Sequence, residues 1–82
     1  MIEQRKFETW ARLDMWVIYD HPLDVPTEFI ARKWLVGSGT AVPTDETRGS
    51  DDLEALRAML PPGLVQLRRQ PKDDPKILEV WL

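Results

Sequence analysis

The chain has 82 residues, of which 43% are hydrophobic and 30% charged, with 11 basic residues against 14 acidic ones and a net charge of −3. That length makes one small domain and leaves no room for a catalytic domain beside a regulatory one. With no cysteine, disulfides and thiolate metal sites are excluded, which fits a reducing cytoplasm.

Affinity for nucleic acid rests on phosphate neutralisation by a basic face, and no segment offers one. The acidic surplus gathers within residues 38–60 and argues against a nucleic-acid partner. The longest unbroken apolar run, Met15 to Tyr19, falls far short of the roughly 20 residues that span a bilayer. MIEQRKFETW carries early charge with no apolar stretch behind it, so it reads as no secretory signal. The expected setting is the cytoplasm, away from membranes.

Residues 1–13 form an extension in which Phe7, Trp10 and Leu13 recur at helical spacing, enough for a short N-terminal helix. The domain proper is expected over residues 14–82. Met15 to Tyr19 is rich in β-branched and aromatic residues and ends in Asp-His-Pro, a strand closed by turn chemistry. Pro22 and Pro26 cannot donate to a ladder, so residues 20–28 read as a loop. Phe29 to Val36 alternates as a second strand, with Phe29, Ala31 and Leu35 on one side and Ile30, Arg32, Trp34 and Val36 on the other. Residues 37–49 offer turn formers and charge with almost nothing apolar, and read as a long loop with at most a short edge strand at Thr40 to Val42.

A helix is expected over residues 51–60. Asp51 and Glu54 fit a capping pair, with Ser50 as the rival cap. Leu53, Leu56, Met59 and Leu60 form its apolar stripe, and Pro61, Pro62 and Gly63 end it. Leu64 to Arg69 and Ile77 to Leu82 then alternate around QPKDDPK and read as a hairpin. The order is ββαββ: a small α+β domain with a mostly antiparallel sheet and one helix on one face.

Two stretches, "VIYDHPLDVPTEFIARKWLV" and "DLEALRAMLPPGLVQLRRQPKDDPKILEVWL", resemble a family of small uncharacterised bacterial α+β proteins. Its marks are a Tyr-Asp-His-Pro segment near the start and Asp-Asp-Pro followed by Glu-x-Trp-Leu at the end. The likeness spans residues 16–36 and 52–82. It implies the fold and a bacterial cytoplasmic setting, and it transfers no catalytic residue.

His21, the only histidine, could act as a general base oriented by Asp20 or Asp24. With Asp73 and Asp74 it could hold a metal. Yet no serine, cysteine or second histidine supports either chemistry. Turn chemistry explains Asp20, His21 and Pro22 without a site, so neither a metal nor another cofactor is expected. The same reasoning leaves "KDDP" as a turn, since a calcium loop needs more ligands at alternating positions. "GSGT" is not followed by the Lys and helix of a phosphate loop.

A subtler feature is the sheet face that one short helix cannot cover. Alternation places Val65, Leu67, Leu78, Val80 and Leu82 with Phe29, Ala31 and Leu35 beneath the helix. Arg32, Trp34, Gln66, Arg68, Glu79 and Trp81 fall on the other face. Tryptophan and arginine are enriched at interfaces. Either Phe7 and Trp10 of the N-terminal segment fold back over this face or it associates. On the second reading the expected function is a non-catalytic interaction module, with a homodimer or another protein as partner, binding through Arg32, Trp34, Arg68 and Trp81. The alternative is a small hydrolytic or metal-dependent enzyme centred on His21, Asp20 and Asp24.

Overall fold

A computed structural model of the chain describes residues 13–37, 39–67 and 75–82. Its elements are β1 (Leu13–Tyr19), β2 (Phe29–Gly37), β3 (Thr40–Ser50), α1 (Leu53–Ala58), β4 (Gln66–Leu67) and β5 (Ile77–Trp81). The strands form one five-stranded sheet in the order β3-β2-β1-β5-β4, and every pairing is antiparallel. Of the N-terminal helix expected within residues 1–13, only Leu13 is described, and it begins β1. The rest, and most of the QPKDDPK connection, lie outside the described residues.

The small α+β domain with its antiparallel sheet is present, but the order is βββαββ rather than ββαββ. The added element is β3, eleven residues long, where a loop was expected. Its sequence, TAVPTDETRGS, carries few apolar residues because it is an edge strand and most of its positions face water. Pro43, which cannot donate to a ladder, sits where the β2–β3 register shifts between Arg32 and Trp34, as proline in an edge strand should. Thr44 at the same irregularity donates its hydroxyl to the Lys33 carbonyl at 2.8 Å. Gly39, at φ 75°, closes the turn between Gly37 and Thr40. That backbone conformation costs glycine nothing and suits tight hairpins.

The helix is shorter than expected. Its N-cap is Asp52, whose carboxylate accepts the Glu54 backbone N–H at 3.1 Å, and not Asp51. Ser50 accepts the Asp52 N–H one step earlier. Of the apolar stripe, Leu56 is fully buried, Leu53 and Leu60 pack beside it, and Met59 points outward. A helix of six residues cannot stand alone in water, so packing on the sheet holds it. It lies over β2 and β3.

Beneath it, Trp16 and Ile18 of β1, Ala31 of β2 and Leu56 form the buried cluster, with Phe29, Leu64, Leu78 and Trp81 packed around them. Burial of each large side chain is worth about 1.5–3 kcal/mol. Arg48 of β3 stacks over Trp16, its guanidinium carbon 5.3 Å from the ring. Lys33 bridges to Glu46 at 2.9 Å and Arg48 to the same carboxylate at 3.0 Å. The bond between them raises the Lys33 pKa and lowers that of Glu46.

Glu79 is the one buried charged residue among those described, 6% exposed. Arg57 of α1 meets it with two donors, Nε at 3.1 Å and Nη2 closer still, and also grips Glu54. The Trp81 indole donates to Glu79 Oε1 at 2.9 Å. These bonds to Arg57 hold the Glu79 carboxyl below the usual carboxylate range, against the opposing effect of burial.

Two predictions follow from this core. A folded-state carboxyl pKa below the unfolded value stabilises at pH above the unfolded pKa of about 4.3. That contribution fades as pH falls through the lower folded value. Glu79→Gln should therefore flatten the acid limb of the stability curve and cost on the order of 1–3 kcal/mol at neutral pH, measured by urea unfolding across pH. Deleting residues 80–82 strips β5 of its pairing with Trp16, Val17 and β4. It should abolish the cooperative melt, since β5 is an interior strand and each large side chain lost is worth about 1.5–3 kcal/mol.

Candidate functional site

Residues paired across an antiparallel ladder share a face of the sheet. Trp16 pairs with Lys33 and Trp81, and Ile18 pairs with Ala31 and Glu79, all on the side of α1. Val17 pairs with Arg32 and Val80, and Val80 with Leu67, on the side away from it. The far face therefore holds Leu13, Met15, Val17 and Tyr19 of β1, then Ile30, Arg32, Trp34 and Val36 of β2. Val80 and Leu82 complete it with Val65 and Leu67.

For β2 this is the expected arrangement. For β4 and the end of β5 it is inverted: Val65, Leu67, Val80 and Leu82 lie away from the helix, while Glu79 and Trp81 lie beneath it. Leu78, at the β1–β5 register shift, packs on the core as expected. Both sets of alternate positions in β5 carry large apolar side chains, so hydrophobicity alone does not select between them. The carboxylate does. A buried Glu79 needs a cation, and Arg57 on the helix supplies it.

Trp34 and Trp81 consequently sit on opposite faces and form no shared surface. Trp81 packs into the core. Trp34 is half-buried, and its indole N–H is inaccessible with no acceptor among the described residues. Arg68 lies outside the described residues, and Arg32 is on the far face.

What the inversion leaves is an apolar surface toward one edge of the far face. Val65 is 65% exposed, Leu67 41%, Leu82 36% and Leu13 53%. Val65 and Leu82 exchange both backbone hydrogen bonds at 3.0 Å and Leu67 pairs with Val80, while Leu13 lies on the same face at the start of β1, paired with Val36. Arg32 is the one charged residue that β1, β2, β4 and β5 present on this face.

At the opposite end of β1, the loop after Tyr19 closes over the sheet. A cavity of about 270 Å³ lies there, lined by Tyr19, Pro22, Asp24, Val25, Ile30, Arg32 and Thr47. Its loop wall is pinned by the Val25 N–H donating to the Pro22 carbonyl at 2.9 Å. Arg32 Nη1 donates to the Thr44 carbonyl at 2.6 Å. Sequence reasoning had only Arg32 and Asp24 of this set, as members of two different candidate sites. The remaining walls come from three separate segments that only folding brings together.

His21 turns away from that cavity. Its Nδ1 meets Asp20 Oδ1 at 2.6 Å, and its ring packs edge-on against Phe29 with centroids 4.6 Å apart. Its carbonyl accepts from Lys76 Nζ, while the Asp20 N–H donates to the Lys76 carbonyl. Asp24 makes no hydrogen bond or ion pair with His21 and lines the cavity instead. Asp73 and Asp74 lie outside the described residues, and among those described no cluster of three or more metal-ligating side chains occurs. His21 is also the one non-glycine residue with positive φ, 49°, among those described. Its ring and backbone contacts fit a residue that shapes the corner between β1 and the loop.

No family model, curated protein or solved structure matches the chain. Among the described residues, no helix is long and apolar enough to cross a membrane.

The conformation of His21 gives a direct test of its role. Asparagine tolerates the left-handed region, whereas a β-branched residue there is strained by about 1–3 kcal/mol. His21→Asn should keep stability within about 1 kcal/mol of the parent, and His21→Val should lose more, as read by urea unfolding.

Proposed function

We propose that the chain is a non-catalytic interaction module that pairs with a second copy of itself through the sheet face away from α1. The observation that supports this is the exposed apolar surface of Leu13, Val65, Leu67 and Leu82, continuous with Val80 and Met15 on the same face. Contiguous exposed apolar side chains mark interaction sites. The chain carries −3 overall, yet among the described residues this end of the face carries no charge. Two copies can therefore meet there without opposing their acidic surfaces. Among the described residues β4 also ends the sheet with no strand paired to its outer edge, and edge strands add partners through their backbone groups. The likeness of residues 16–36 and 52–82 to small bacterial α+β proteins adds a setting to this reading but no residue role.

A stable pairing buries about 800 Å² per partner. Sedimentation of the parent should show a concentration-dependent dimer. Val65→Glu combined with Leu67→Glu should return it to a monomer while the dilute protein melts as before, because both side chains are exposed in the single chain. A parent that remains monomeric at every concentration removes the reading.

A further inference from the structure

We propose that the cavity between β1, β2, β3 and the loop after Tyr19 binds a small organic monocarboxylate with an apolar body, anchored by Arg32. The inference goes beyond the pairing reading and uses different residues, at the opposite end of β1.

Arg32 is half-buried on the cavity wall. A guanidinium offers five N–H donors, and the one hydrogen bond made by this side chain goes to the Thr44 carbonyl. No carboxylate among the described residues pairs with it. Desolvating a cation without a counter-charge is unfavourable, and every other half-buried lysine or arginine among the described residues has one: Lys33 has Glu46, Arg48 has Glu46 and Arg57 has Glu79. Arg32 alone of these faces the cavity. The planar fork left free by the Thr44 bond suits a carboxylate, which it binds in two-point fashion.

The remaining walls define the rest of the ligand. Ile30, Val25 and Pro22 give an apolar floor and side, and Tyr19 adds a ring with a hydroxyl. Thr47 offers a second hydroxyl. Asp24 lines the same cavity, and its carboxylate disfavours a ligand with a second negative charge. The volume, about 270 Å³, lies at the lower end of ligand sites and suits an aryl or branched acid rather than a nucleotide. The same chemistry is presented by a free acid and by the carboxyl end of a peptide whose last side chain is apolar.

The test uses the full chain, isotopically labelled, with amide shifts followed by NMR. Phenylacetate should give saturable shifts at Val25, Ile30 and Thr47, and phenylacetamide, the uncharged isostere, should bind at least about tenfold more weakly. Phenylmalonate should bind more weakly than phenylacetate. Arg32→Gln should abolish saturation. Thr47→Trp, at an exposed edge-strand position on the cavity wall, should block the space and abolish it while leaving Arg32 and its bond to Thr44 in place. A tripeptide ending in phenylalanine that outbinds phenylacetate assigns the source to a peptide end, and the reverse assigns it to a free acid. The Val65→Glu, Leu67→Glu protein should bind phenylacetate as the parent does, which separates this site from the pairing surface. Equal affinity for acid and amide, saturation retained in either cavity variant, or shifts confined to residues away from the cavity would overturn the proposal.

Discussion

The bond from Arg57 to Glu79 sets the phase of the whole sheet against its helix. One carboxylate in an interior strand cannot be taken out of water alone, and the cation that compensates it stands on the only helix among the described residues. Once that pair forms, Trp81 must lie beneath the helix beside Trp16 and donate to the same carboxylate. Val80, Leu82, Val65 and Leu67 must then face the other way. A polar contact with two side chains thus determines where a large share of the apolar surface goes.

The arrangement explains why this small domain has two unlike faces. The helix side is dressed with ion pairs, Lys33 and Arg48 with Glu46 and Arg57 with Glu54 and Glu79, around a compact aromatic and aliphatic cluster. Among the described residues of β1, β2, β4 and β5 the far side presents one charge, Arg32, and bears exposed valine and leucine toward one edge. At its other end the loop after Tyr19, shaped by two prolines and the left-handed His21, borders a cavity lined by Arg32, which forms no ion pair among the described residues. β1 joins the two regions as the middle strand, with Leu13 at the apolar end and Tyr19 at the cavity.

Much of this was legible along the chain, and the reasons differ by element. β1 and β2 announce themselves because each is a run of β-branched and aromatic residues bounded by proline or glycine. The helix is marked by its leucine spacing and by Pro61-Pro62-Gly63, though its cap moved one residue to Asp52. β3 was hidden because an edge strand facing water has no need of apolar alternation. Its pairing is specified by β2, by Gly39 at the turn and by Thr44 and Arg48 reaching across. Of the candidate site residues, Arg32 kept its face, Trp34 kept its face but is half-buried, and Trp81 changed sides. At the corner after β1, His21 contacts Asp20, its neighbour in sequence, while Asp24 lines a cavity that no local pattern could reveal.

The sequence by itself determined what local chemistry controls: the strands where β-branched and aromatic residues run together, the helix start and stop, and the turns where proline and glycine leave no alternative. It also determined that these residues include no cysteine and carry a net charge of −3, since composition alone decides those. The tertiary structure decided which face of β4 and β5 meets the helix. Period-two alternation defines two faces without naming which is inside, and both faces of β5 were apolar enough to serve. Only the distance between a carboxylate and an arginine 22 positions apart could choose. That choice is a property of the assembled sheet and of no segment within it.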